Sequence, residues 1–187
     1  VRPVRENARR QLREMAAELA RFAPQASGPG HAALGRGLAS LGDFAGARGH
    51  LQRARAAGHR TPEVAYLEGL VHGHLFKQER DAAAQLADPG ERQRRMAEAA
   101  RTLRDPALEN LRTAGGAVLD PPEYVQGLIA FFEDRHGPAL ALAARARQAA
   151  PWFHPAWQLA GDVHFALAVE GSQHGDYAAF SEGMQKA

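Results

Sequence analysis

The nine histidines of this 187-residue chain are its most versatile reactive side chains, because imidazole ligates metals and carries protons near neutral pH. His72 and His74 are two apart, so on a helix they diverge by about 200° and cannot hold one ion together. His72 and His164 each fall three residues after a recurring glycine, where another unit has Leu38, and that equivalence points to packing. The run Gly28-Pro29-Gly30-His31-Ala32-Ala33 satisfies the loose pattern G-x-G-x-x-A, whose glycines would let a pyrophosphate approach the backbone. That chemistry needs a preceding strand and a βαβ unit, and the sequence supplies neither. Glu133-Asp134 lies in a turn-like stretch, where adjacent carboxylates are simply solvated. With no cysteine, disulfides, thiolate metal sites and cysteine nucleophiles are excluded. A G-x-S-x-G elbow, H-E-x-x-H, a Walker loop and the kinase loops are all missing. The reading is therefore of a chain without catalytic residues, cofactor site or metal site.

Composition narrows the remaining classes. The formal net charge is +2, and acidic residues are interspersed among the basic ones. Nucleic-acid binding needs a concentrated basic face to neutralise phosphates, so no nucleic-acid partner is expected. No stretch approaches the roughly 18 uncharged apolar residues of a membrane span. Val1-Arg2-Pro3-Val4-Arg5 leads into a charged helix without the apolar core of a secretory signal, so a cytoplasmic setting is expected. The absence of an initiator Met and the stop at Ala187, in mid-pattern, suggest a piece of a longer protein. Abundant Ala and Leu with few β-branched residues favour helices throughout.

The elements that must position any site follow a period. Gly35 and Gly69 are 34 residues apart, as are Gly127 and Gly161, while Gly69 and Gly127 are separated by 34 plus 24. Within 28–61, Gly35 allows close approach of a second helix and Leu38 and Leu51 fill the space between. Gly42-Asp43 forms the turn with Asp43 as N-cap, and Ala47 and Ala54 make a small-residue face. A third unit repeats this with Gly127, Ala139 and Ala146, turning at Asp134-Arg135-His136-Gly137-Pro138. A second has Ala107, Leu111 and Ala114, with Asp105-Pro106 expected to cap and start a new helix. A fourth has Trp157 and Gly161, then a turn at Gly175-Asp176-Tyr177. Helices are expected over 5–22, 30–41, 44–57, 63–86, 91–104, 106–116, 122–133, 138–150, 155–171 and 177–186.

This period and the run Leu34-Gly35, Leu38, Gly42-Asp43-Phe44, Ala47, Leu51, Ala54 resemble the tetratricopeptide repeat. The resemblance implies an all-α fold: a right-handed α-solenoid of antiparallel helix pairs, about four repeats with one helical insertion. Residues 1–24 would form an amphipathic capping or linker helix through Leu12, Met15, Leu19 and Phe22. Residues 28–187 would form the repeat domain, with an insertion at about 81–105 and a truncated last repeat. The insertion carries Arg92, Arg94, Arg95, Arg101 and Arg104, as a solvated protruding helix or as a surface for an acidic partner. Gly30-His31-Ala32-Ala33-Leu34-Gly35-Arg36-Gly37-Leu38, Thr61-Pro62-Glu63-Val64-Ala65-Tyr66 and Gly161-Asp162-Val163-His164 resemble a narrower group. They are similar to the repeat region of some bacterial serine/threonine protein kinases of the eukaryotic type.

By position in such arrays, first helices line a concave groove. That places Arg36, Tyr66, Leu70, His74, Tyr124, Leu128, Phe132, Gln158, Asp162 and Phe165 on the groove wall, with Phe131 or Phe132 in the core. The implied function is binding of a protein or peptide segment through apolar anchors. A clamp for a C-terminal carboxylate is not expected, because Asn7 and Asn110 fall outside the projected groove and Lys77 is the sole internal Lys. Two alternatives stand beside it. One is a self-assembling solenoid whose open end near 177–187 stacks on another copy, and the other is a small-molecule sensor.

Overall fold

The computed structural model of the chain describes residues 2–21, 27–115 and 120–173, and among them it contains helices and no strand. None of the described helices is long and apolar enough to cross a membrane. The chain divides into two compact units, Val1–Ala117 and Val118–Ala187.

The first unit begins with α1 (Arg2–Leu19), α2 (Gly28–Ser40), α3 (Phe44–Ala56) and α4 (Pro62–Ala84). Each packs on its neighbour in the chain, and α2 also touches α4. Short connections make this possible. Gly42 has φ +80°, and the N–H of Asp43 reaches back to Leu38 O at 2.9 Å, which closes α2 in a Schellman turn. The Asp43 carboxylate then accepts from Gly46 N at 2.9 Å and starts α3. Thr61 caps α4 by accepting from Val64 N, with Pro62 in the first turn.

Ala47, Leu51, Val64, Leu67 and Val71 form a buried cluster, with Leu38, Phe44 and Leu75 packed around it. Gly35 is where α2 meets α3 most closely: a Cβ there would lie 2.8 Å from Leu51 Cγ. On the other side of α2, Leu12 fits over Gly37 and Leu19 over Gly30. This crossed order makes α1 antiparallel to α2. Phe22 lies outside the described residues.

The chain continues through α5 (Pro89–Ala99), a π-helical turn (Ala100–Arg104) and α6 (Asp105–Ala114). The expected break at Asp105-Pro106 does not occur. Asp105 has helical φ −64° and ψ −43°, and its N–H bonds Ala100 O, five residues back. Pro106 has no N–H, and in a regular α-helix its ring would strike the carbonyl four residues earlier. The wider π turn absorbs both defects, so the helix runs on instead of restarting. The expected protruding helix is likewise corrected: α4 and the α5–α6 run are both lengthened, and α5 packs back on α4. Asp88 opens this arm by accepting from Gly90 N and Glu91 N. Four of the insertion's five arginines are engaged within the chain: Arg92 donates to Leu86 O, and Arg95, Arg101 and Arg104 bind Glu79, Glu98 and Asp105. Gly69 of α4 is seated under Leu111 of α6, repeating the Gly35–Leu51 contact.

The second unit holds α7 (Pro122–Phe132), α8 (His136–Ala149) and α9 (His154–Gln173), each packed against the other two. Ala139, Ala143 and Ala146 are fully buried on α8, leaving space that Tyr124, Leu128, Phe131 and Phe132 of α7 fill. The Tyr124 ring meets Phe153 edge-on at 5.0 Å. Gly127 again marks a close approach, with Leu159 of α9 and Leu142 of α8 over it. The turn expected at Gly175-Asp176-Tyr177 lies outside the described residues, as does the 177–186 helix.

Candidate functional site

The residues projected onto a groove separate by burial. Tyr66, Tyr124 and Leu128 are each 7% exposed and Phe132 is 5% exposed. These four are core residues, which corrects their assignment as anchors open to a partner. The cause is volume: second helices lined with alanine leave room that only large first-helix side chains can fill. Burial, with the nearby Asp120 and Asp162 carboxylates, pushes the Tyr124 phenol well above its usual range. Leu70, His74 and Asp162 are half-buried, and His74 stacks flat on Phe44 at 4.2 Å. Arg36, Gln158 and Phe165 are exposed.

Arg36 lines a cavity in the first unit. This open cleft of about 580 Å³ runs between α2 and α4. Ala32 and Ala33 of α2 and Val64 and Leu67 of α4 give it apolar walls. Arg36, Ser40, His59, Thr61 and Glu63 supply polar groups. The Thr61 hydroxyl and Glu63's own N–H hold the Glu63 carboxyl below the usual range, and Arg36 adds to this. The cleft therefore has an apolar interior with one cation and one anion at its edge. Ala32, Ala33 and Glu63 stand in the sequence only within the runs that resemble kinase-associated repeats; the approach of α2 to α4 is what brings them into one cleft.

A second cavity, of about 350 Å³, is polar. Glu68 and His72 lie four apart on α4, on one face, where the first pair has Leu34 and Leu38. Glu68 is 5% exposed and accepts from Arg55 Nη1 at 3.0 Å. Burial raises its carboxyl pKa, while Arg55 pulls it back. Burial first, then Arg48 and Arg55, lowers His72 to about 4, so the ring is neutral at physiological pH. Its Nδ1 is buried without a hydrogen-bond partner. Arg60, Thr61, Glu109, Asn110 and Thr113 add further polar groups to the lining. The packing role read for His72 is thus joined by a polar environment that a single-repeat comparison does not reveal.

Two tryptophans are exposed, of which Trp157 marks the fourth unit in the sequence. Trp152 is 75% exposed and Trp157 51% exposed, both in the second unit. The Arg147 guanidinium sits 3.7 Å over the Trp157 ring, a cation–π contact that holds that ring in place. The Trp157 indole N–H donates to Pro151 O at 3.4 Å.

No family model, curated protein or solved structure matches this chain.

Proposed function

We propose that this chain is a helical-repeat interaction module of the tetratricopeptide type, which holds a segment of another protein between the first helices of successive pairs. On this reading the pairs within each unit stack as in a right-handed α-solenoid. The supporting pattern is the repeated seat of a glycine under a leucine, at Gly35–Leu51 and Gly69–Leu111. The observation that carries the binding assignment is the open cleft between α2 and α4, with Arg36 and Glu63 at its edge. An extended segment laid there would bury small apolar side chains on Ala33 and Leu67 and orient its charges on Arg36 and Glu63. The sequence likeness to kinase-associated repeats makes the partner a substrate or scaffold of a bacterial signalling kinase in the cytoplasm. A kinase domain in the full reading frame would support that narrower statement.

Peptides selected from a displayed random library against the wild-type chain test the cleft directly. Ala33→Trp fills it and Arg36→Glu inverts its charge. Both variants should keep wild-type circular dichroism and lose most selected peptides. Undiminished binding of every peptide to both folded variants would remove the cleft from consideration.

A small-molecule sensor is the second reading, favoured by the polar cavity around Glu68 and His72. Its volume is at the lower end of ordinary ligand sites. A ligand at 100 times its Kd would stabilise the fold by about 2.7 kcal/mol. Thermal shifts that appear in the wild type and vanish in His72→Leu would support it. A metabolite library that shifts neither protein would count against it.

A further inference from the structure

His31 of α2 and His50 of α3 are 19 residues apart, and the fold brings their Nδ1 atoms to 3.0 Å. Their ring centres are 5.2 Å apart and the rings are tilted by 45°. Both side chains are half-buried. Without metal, the contact is a hydrogen bond in which one ring donates its Nδ1–H to the other. We propose that His31 and His50 also form a two-imidazole chelate for a borderline divalent transition ion (Cu²⁺, Ni²⁺ or Zn²⁺), bridging α2 and α3.

The distance is what carries this. Metal–nitrogen bonds of about 2.0–2.1 Å, meeting at 90° to 109°, place two donor nitrogens about 2.9–3.3 Å apart. The observed 3.0 Å lies inside that span. A separation of ring centres as long as 5.2 Å means that each Nδ1 points almost straight at the other. Binding therefore requires the shared proton to leave to solvent and both rings to swing until their lone pairs converge. Arg53 acts electrostatically on both rings and opposes a dication, and Asp43, which acts on His50, partly offsets it.

The site is open. Among the described residues no group of three or more His, Asp or Glu side chains gathers to hold an ion. Water or a donor from a bound molecule must fill the remaining positions, unlike the closed four-ligand sites of structural zinc. Affinity should follow the general order for nitrogen ligands, with Cu²⁺ above Ni²⁺ and Zn²⁺. Mg²⁺ and Ca²⁺, which require oxygen, should not bind.

The test uses the chain without an affinity tag, titrated with CuCl₂ at pH 7.5 and followed by electron paramagnetic resonance. One equivalent should bind with hyperfine structure from two nitrogens and should raise the melting temperature. His31→Ala and His50→Ala should each weaken binding by more than the roughly tenfold to hundredfold cost of losing an outer-shell partner. His154→Ala, at an exposed position, should not change it. If either variant fails to fold, paramagnetic broadening of the imidazole resonances in the wild type decides. Broadening confined to the His31 and His50 rings upholds the chelate. Broadening confined to other histidines, or copper affinity unchanged in folded His31→Ala and His50→Ala, overturns it.

Discussion

The α2–α3 turn of the first unit and the α7–α8 turn of the second have one backbone and opposite chemistry. Gly42 and Asp134 both take positive φ, at +80° and +57°. The next residues, Asp43 and Arg135, both return an N–H to a carbonyl five positions back, at 2.9 Å. Their own angles nearly coincide, with φ/ψ of −86°/75° and −90°/69°. The first unit uses glycine where L residues are strained and aspartate where a cap is needed. The second has aspartate in the strained place and no side-chain cap at Arg135. Shape is thus set by the Schellman hydrogen bonds, and side chains only adjust its stability.

The glycine seats differ in the same way. Gly35 and Gly69 are covered by Leu51 and Leu111, each four residues after a fully buried alanine. At the matching place in the second unit stands Ala143, and Leu159 of the following helix covers Gly127 instead. Each glycine seat of the first unit is therefore closed by a leucine within the same pair, while the seat on α7 also draws on α9.

The largest effect that would break this contrast comes from truncating the covering leucines. Leu51→Ala and Leu111→Ala should each lower stability by about 3 kcal/mol in denaturant unfolding. Leu159→Ala should do the same and loosen α7 in hydrogen exchange; protection of α7 left intact would show that α8 suffices for Gly127.

Next come the glycines. A Cβ on Gly69 meets Leu111 N of the backbone at 3.1 Å as well as the side chain, whereas on Gly35 the closest contacts are the mobile end of Leu51. Gly69→Ala should cost about 2–3 kcal/mol and Gly35→Ala about 1–2. Leu51→Ala should relieve part of the second clash in a double-mutant cycle. Equal costs would mean that both seats relax alike.

Acid should act on the first unit through His72. Its folded pKa of about 4 lies below the ordinary 6.5, so the unfolded chain takes the proton first. The stability tied to it is complete above pH 6.5 and disappears as pH falls towards 4, a loss of about 3 kcal/mol at most, reduced by solvent screening of the partly exposed ring. His31 and His50 shift in the same direction. Glu68, whose pKa is raised, works oppositely and gains stability on protonation. The wild type minus His72→Leu isolates the His72 contribution, and parallel pH curves would contradict it.

The smallest effects sharpen the turn comparison. Asp43→Ala should cost about 1 kcal/mol. Arg135→Asp should add a cap of similar size, and Asp134→Gly should gain a few tenths to 1 kcal/mol by removing strain. Thermal melts measure all three. A destabilised Arg135→Asp would show that its contact with Glu133 outweighs a cap.

Legibility was uneven, and the reasons are local. The Gly42-Asp43 turn and the alanine faces at 47/54, 107/114 and 139/146 could be read directly, because a turn and a helix face depend on residues close in sequence. The continuation through Asp105-Pro106 could not. Asp-Pro is a good helix start, and only the fit of both α5 and α6 against one long α4 makes a π turn preferable to a break. Tyr66, Tyr124, Leu128 and Phe132 were placed on a wall by repeat position, but alanine-lined partner helices drew them into the core.

The sequence alone determined the helical character and the turns between α2 and α3 and between α7 and α8, since periodicity and capping act over a few residues. Tertiary structure alone decided which surfaces remain open. The cleft beside Arg36, the polar cavity around Glu68 and the His31–His50 contact all join residues from different helices. Their distances depend on how closely glycine and alanine let those helices approach, a sum of packing contacts that no short segment encodes.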